Sequence, residues 1–199
     1  MLNLFYSSDK IEAGCDEVGR GCLAGPVVAA AVILPKSCEI DGLTDSKKLS
    51  ESQRIKLEPE IKKLALAWAV AEVSPAEIDA INILQATYKA MHLAVKKLKT
   101  KPELLLIDGN RFKPFKDVPH VCIIKGDSQY LSIAAASVLA KNYRDKLMKD
   151  LHQLYPNYGW IKNVGYPTVE HRTGIEKFGV TPYHRLSFQL LKKQLDLFD

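Results

Sequence analysis

An α/β domain with a mixed central sheet is the fold class that this sequence predicts, and three observations predict it. Short apolar runs of strand length alternate with longer stretches of helical periodicity. The first two runs are joined by a tight glycine-rich loop, as in an antiparallel meander. Two later runs, "ELLLIDGN" and "HVCIIKGD", each end at an aspartate, and a long helical pattern follows the second, as expected of parallel strands.

Taken in order, residues 10–34 supply two strands, "IEAGCDEV" and "PVVAAAVIL", on either side of that loop. In "TDSKKLSESQRIKLEPEIKKL", Leu57, Ile61 and Leu64 fall at helical spacing, and Pro59 divides this helix or opens a second short one. A third strand, "ALAWAVAEV", covers residues 65–73. Residues 82–99 give the clearest helix, with Leu84, Tyr88, Met91, Val95 and Leu98 as its core-facing stripe. The two aspartate-ended strands come next, and "SQYLSIAAASVLAKNYRDKLMKDL" forms a long helix. Residues 156–185 are rich in Pro, Gly, His and aromatic residues before "LSFQLLKKQL" turns helical again. The expected division is a main domain over 1–155 and a small helical C-terminal portion over 156–199.

Composition sets wide bounds. A chain of 199 residues with 47% hydrophobic residues can bury one substantial core. Its formal charge of +5 leans toward an anionic partner such as nucleic acid. The four cysteines, Cys15, Cys22, Cys38 and Cys122, have neither CxxC spacing nor nearby histidines, so neither a zinc site nor a disulfide framework is expected. The start lacks the pattern of a secretory signal, and no apolar run approaches the ~20 residues that cross a bilayer, so a cytoplasmic protein without membrane contact is expected.

The chemistry is carried by acids placed where apolar runs stop: Asp16 and Glu17 after the first strand, Asp108 in "LLLIDGN", Asp127 in "IIKGDSQ". Strand ends of an α/β sheet collect at one edge, where ligands bind. Carboxylates brought within ~4 Å repel by ~1 kcal/mol per pair in water and by more in a cleft. With only Arg20 and Lys125 interleaved among them, bound cations are the natural compensation, and an all-oxygen donor set suits Mg²⁺ or Mn²⁺. Two such ions would clamp an in-line phosphoryl displacement. Other readings stay open at this point. Asp127 can be the N-cap of the long helix, and Asp108 with Gly109 and Asn110 can be turn chemistry. Glu17 points away from Asp16 in a regular strand and joins the same site only if the strand ends or bulges there.

A set of motifs in fixed order then identifies the chain as resembling a known family. "AGCDEVGRGCLAGPVVAAAVILP", "TDSKKLS", "LLIDGN", "KGDSQYLSIAAASVLAK", "GYPTVEH" and "PYHRLSF" resemble bacterial ribonuclease HII. The resemblance implies a ribonuclease H-like fold with a small C-terminal helical portion. It implies an endoribonuclease that degrades the RNA strand of RNA–DNA hybrids and incises 5′ of single ribonucleotides in duplex DNA, leaving 3′-hydroxyl and 5′-phosphate ends. Catalysis and metal binding would fall to Asp16, Glu17, Asp108 and Asp127, holding two Mn²⁺ or Mg²⁺ ions in the catalytic complex.

Substrate-binding roles implied by the same resemblance begin with Gly19, Arg20 and Gly21, whose backbone would approach the ribonucleotide sugar and its 2′-hydroxyl. Tyr166 would stack on the following deoxyribose. Ser46, Lys47 and Lys48 would anchor phosphate, and His184 and Arg185 would touch phosphate or brace the cleft. Cys22 departs from the proline that many relatives carry there, without removing a proposed ligand.

The closing residues Gln194, Leu195, Asp196, Leu197 and Phe198 spell QLDLF, which resembles the peptide by which bacterial repair proteins bind the sliding clamp. Packing of the same apolar residues onto the domain is the alternative. The protein is expected to act as a monomer. Two competing functions are a DNA-structure-specific nuclease of the same fold, such as a junction resolvase, and a non-catalytic basic duplex-binding module.

Overall fold

A computed structural model describes residues 2–191. The closing segment Gln194 to Phe198 lies outside the described residues. The elements begin with strands β1 (Glu12–Val18) and β2 (Val27–Ile33), helix α1 (Glu51–Leu64) and strand β3 (Ala67–Val73). Helix α2 (Pro75–Lys97), strands β4 (Leu104–Asp108) and β5 (His120–Ile123) and helix α3 (Leu131–Leu154) follow, and α4 (Trp160–Asn163) and α5 (Val169–Phe178) complete the set. The five strands form one sheet in the order β3-β2-β1-β4-β5. β1, β2 and β3 pair antiparallel, whereas β4 and β5 run parallel to β1. This is the mixed α/β sheet of a ribonuclease H-like fold that the sequence predicts.

Helix α2 covers one face of the sheet, packing Ala86, Ala90, Met91 and Ala94 over Ala13, Cys15, Ala29 and Ala31. Helices α1 and α3 cover the other, with Leu57, Ile61, Ala135 and Val138 against Val28, Ala30 and Val32. Small residues on both sides of each interface let the layers approach closely. Gly14 marks the tightest point: a Cβ there would stand 2.3 Å from the backbone of Ser132 in α3. Side chains alternate along β1, so Asp16 faces α3 with Gly14, and Glu17 faces α2 with Cys15. Among the described residues no helix is long and apolar enough to cross a membrane.

Five sequence expectations need correction. Pro59 sits inside α1 without dividing it. Its missing N–H would have bonded Ile55, which is 55% exposed, so water is at hand for that carbonyl. The buried stripe of α2 overlaps the predicted one at Met91 and Val95 but is shifted from it: Leu84 is exposed, and Ala86, Ala90 and Ala94 face the sheet. That helix also starts earlier, as a short segment meeting the rest at Asn82, whose φ of 66° makes a kink and whose side chain caps Leu84 and Gln85. Residues 186–191 are not helical. Asp79 accepts the N–H groups of Leu186 and Ser187, and Arg172 donates to the carbonyls of Gln189 and Leu190, so side chains hold this backbone in place of an i→i+4 ladder. Lastly, β5 stops at Ile123, so Asp127 lies not at a strand end but in a 3₁₀ turn, Gly126–Ser128.

Candidate active site

The parallel register that pairs Cys15 with Ile107 brings Asp16 level with Asp108 at the C-terminal ends of β1 and β4. Asp127 arrives from the 3₁₀ turn. Gly126 donates its N–H to Asp108 Oδ1 at 2.7 Å, and a Cβ on Gly126 would meet Ile133 at 2.6 Å. A side chain at Gly126 would have to displace the end of Ile133, so glycine lets this turn settle closely against the sheet and carry Asp127 beside Asp108. Asp16, Asp108 and Asp127 each offer a carboxylate oxygen, all within 4.8 Å of one another. Asp127 does not cap α3, whose N-cap is Tyr130 with no side-chain bond.

The geometry makes two of these groups, Asp16 and Asp127, weaker acids. Burial pushes Asp16 well above the usual carboxylate range, and the charges of Glu17 and Asp108 push it further. Asp127 is raised by burial and then by Asp108. One cation answers them directly: Lys47 reaches Asp127 at 3.2 Å while its side chain stays 77% exposed. Burial alone would lower Lys47, but its bond to Asp127 and the charge of Asp16 behind it carry its ammonium above the ordinary value. Three oxygens of like charge, two of them on buried residues, have beside them one exposed ammonium, which bonds Asp127. This donor set suits a hard divalent cation.

Glu17 stands apart from this trio. β1 keeps its pleat through Val18, pairing Glu17 with Ala29, and the expected bulge is absent. Glu17 therefore lies on the α2 face, where Arg20 holds it at 3.2 Å. Burial raises its pKa, Arg20 opposes that rise, and Asp108 adds to it. Asp108 thus links the two faces around the sheet edge. Glu17 borders both of the cavities there. One, of about 220 Å³, includes Asp16, Ser46, Lys47 and Tyr166; the other, of about 260 Å³, includes Arg20, Asp108, Asn110 and Arg111.

The remaining candidates sort by exposure. Tyr166 is 40% exposed and opens into the cavity of Asp16. Ser46 is buried and bonded to Ser137 at 2.6 Å, so it braces its loop, while Lys48 is exposed beside Lys47. Of the two roles expected for His184 and Arg185, their 2% and 0% exposure removes contact with phosphate and leaves bracing of the cleft. Arg185 donates to the carbonyls of Gly25 (2.9 Å), Arg20 (2.9 Å) and Gly19 (2.7 Å).

Several residues that matter to the site are not singled out by sequence reasoning. Arg144, also fully buried, donates to the carbonyls of Pro26 (3.0 Å), Val164 (2.8 Å) and Ala24 (2.9 Å). Gly19 has a φ of +91°, and a Cβ there would stand 2.2 Å from Arg144 Nε, so both its backbone conformation and the arginine beneath it call for glycine. His171 is the second. The carbonyl of Tyr166 can only accept, so His171 Nδ1 donates to it at 2.9 Å, and His171 Nε2 accepts from Trp160 Nε1–H at 3.0 Å. Thr181 N–H donates to His184 Nδ1 at 2.9 Å, which leaves His184 Nε2–H to donate to His171 at 3.2 Å. Both rings are neutral in this network, and burial followed by His171 pushes His184 down to about 4. A signal existed for part of this: Ser137, Lys141 and Arg144 recur at helical spacing along one face of α3.

Comparisons with known proteins bear on the family and the fold. A family model described as Ribonuclease HII matches residues 13–191. Ribonuclease HII of Bacteroides fragilis is 60% identical over 199 residues, covering 100% of this chain and 99% of that one. Ribonuclease HII of Parabacteroides distasonis is 58% identical over 197 residues, or 99% of each. Among solved structures, the PCNA:RNase HII complex from Archaeoglobus fulgidus matches at a TM-score of 0.76 and 28% identity, covering 94% of this chain and 98% of that chain. Ribonuclease H2 from Pyrococcus horikoshii matches at a TM-score of 0.75 and 27% identity, covering 90% and 94%. The chain belongs to the ribonuclease HII family and is a hydrolase of the ribonuclease H class.

Proposed function

We propose that this ribonuclease cuts the RNA strand of RNA–DNA hybrids and incises duplex DNA on the 5′ side of a single ribonucleotide, leaving 3′-hydroxyl and 5′-phosphate ends. The observation that carries this reading is the convergence of Asp16, Asp108 and Asp127 at one sheet edge beside an exposed tyrosine. Asp16, Asp108 and Asp127 would hold divalent cations, Mg²⁺ or Mn²⁺, with Glu17 contributing from the α2 face. When bound, the ions supply an activated water and a counter-charge for the departing 3′-oxygen.

The chain's own residues do the rest. Asp16 and Asp127 sit in low-dielectric surroundings that strengthen their grip on a cation and disfavour their charge without one. Lys47 holds Asp127 until a ligand competes for it, and Lys47 and Lys48 are placed to meet phosphate. The outward face of Gly19 to Gly21 examines the sugar, where the 2′-hydroxyl distinguishes RNA from DNA. Tyr166 presents its ring to the next nucleotide. QLDLF over 194–198 is read as a sliding-clamp peptide, a reading supported by the PCNA complex of the Archaeoglobus fulgidus relative.

The test compares a duplex holding one ribonucleotide with its all-DNA counterpart, in Mg²⁺, Mn²⁺ or EDTA. Cleavage of the first only, abolished by EDTA and by Asp108→Asn, is expected. Cleavage of both duplexes, or full activity in the variant, rejects the reading. Deleting the last six residues should abolish clamp binding and leave cleavage intact.

A further inference from the structure

The loop after β1 takes its shape from a residue far along the chain. Arg185 is fully buried and gives its Nη1 and Nη2 donors to the carbonyls of Arg20 and Gly19 at 2.9 and 2.7 Å. A trans peptide unit is planar, with C=O and N–H on opposite sides. The Gly19 carbonyl shares its unit with the N–H of Arg20, and the Arg20 carbonyl shares its unit with the N–H of Gly21. When both carbonyls turn inward to the guanidinium, both N–H groups must turn outward. The surroundings agree: Arg20 and Gly21 are exposed, and no heavy atom lies within 4 Å of where a Gly21 Cβ would stand. Among the described residues, neither N–H is donated to another group of the chain.

Three further contacts fix the frame in which this happens. Arg185 N–H donates to Leu23 O at 2.8 Å, Leu23 N–H to Gly165 O at 2.8 Å, and Gly25 N–H to Tyr183 O at 2.8 Å. The loop, the segment of Tyr166 and the segment of Arg185 are therefore one laced unit. No carboxylate forms an ion pair with Arg144 or Arg185 among the described residues, so backbone carbonyls, with the Phe188 ring 5.1 Å from the Arg185 guanidinium, answer the two buried charges. A carbonyl that accepts from a cation polarises its own peptide unit and makes the N–H on the far side a stronger donor.

We propose that Arg185 is a positioning residue for ribonucleotide discrimination: by drawing the Gly19 and Arg20 carbonyls inward, it presents the Arg20 and Gly21 N–H groups as a preset pair of donors to a sugar 2′-oxygen. This rests on the proposed reading that the loop examines the sugar. Arg185 itself touches no substrate.

The test measures equilibrium binding in Ca²⁺ to a duplex with one ribonucleotide and to the same duplex with deoxyribose at that position. Wild-type protein should favour the ribonucleotide by about tenfold, the worth of one or two neutral hydrogen bonds. Arg185→Gln should bring that ratio close to one while affinity for the all-DNA duplex changes by less than about twofold, and Arg185→Lys should fall between. A general loss of structure would lower both affinities together and leave the ratio in place. A folded Arg185→Gln variant with the wild-type ratio overturns the proposal alone. A wild-type ratio of one overturns the sugar-reading function and this inference with it. Should neither variant fold, amide resonances of wild-type Arg20 and Gly21 decide: they should move with the ribonucleotide duplex and not with the all-DNA duplex, and equal movement overturns the proposal.

Discussion

Two regions on either side of the loop after β1 handle buried charge in opposite ways. At the sheet edge, Asp16, Asp108 and Asp127 crowd three carboxylates around one exposed lysine, and burial raises Asp16 and Asp127. Beneath the loop, Arg144 and Arg185 bury two guanidiniums, each of whose three nitrogens donates to a backbone carbonyl. The first region is unfinished and strained by its own charge; the second is complete. The contrast separates two jobs. Charge left uncompensated marks where a ligand must enter, and charge fully satisfied marks where the shape of the chain is stored.

The sharpest way to break this contrast is Asp108→Asn. The amide can still accept from Gly126, so the turn survives, but one charge of the cluster is gone. Cleavage should fall by about three orders of magnitude or more while the melting temperature holds or rises. A steady-state assay beside a thermal melt checks it; parallel loss of both would mean that the cluster is structural. The opposite pattern is expected of Arg144→Met, which strips donors from the buried carbonyls of Ala24, Pro26 and Val164. Urea unfolding should show a loss of about 3–5 kcal/mol. A loss below about 1 kcal/mol would remove the arginines from the stability of the fold.

Smaller effects sharpen the comparison. Mg²⁺ should stabilise the metal-free protein against unfolding by about 2.7 kcal/mol at a hundred times its dissociation constant, and Asp16→Asn should abolish most of that gain. Acid should act on the two regions with opposite sign. Asp16 has its folded pKa raised, so the native state binds more protons than the unfolded one, and its contribution improves as pH falls toward the ordinary carboxylate range. His184 has its folded pKa lowered to about 4, so its contribution is intact above the ordinary histidine value and is lost as pH falls below it. Between roughly pH 7 and pH 5 that loss is about 2 kcal/mol. Melting curves of the metal-free protein over this range should therefore be steeper on the acid side in Asp16→Asn than in the wild type.

Much of the fold was legible because local pattern governs it. All five strands follow apolar runs bounded by turn residues, and the mixed sheet follows from their sequence order. The carboxylates were legible for a coarser reason: acids at the ends of apolar runs need an explanation. What escaped depends on packing or on contacts distant in sequence. The buried face of α2 follows its alanines because β2 opposite is also alanine-rich, so close approach outweighs the larger side chains. Glu17 stays on its own face because the pleat persists to Val18. Arg144 is one residue of a long helical pattern with nothing to single it out, and Arg185 reads as a phosphate ligand or a brace of the cleft. Nothing local to either residue announces a bond to a backbone carbonyl more than a hundred positions away.

That distance has a consequence in time. Every carboxylate of the site is in place in the chain by residue 127, whereas the residue that orients the loop of Gly19 to Gly21 is number 185. A polypeptide emerging from the ribosome therefore carries the acids proposed to cut well before it carries the part that sets what they are shown. If Arg185 sets the loop as proposed, those glycines gain their fixed outward face only once residue 185 has emerged and reached their carbonyls.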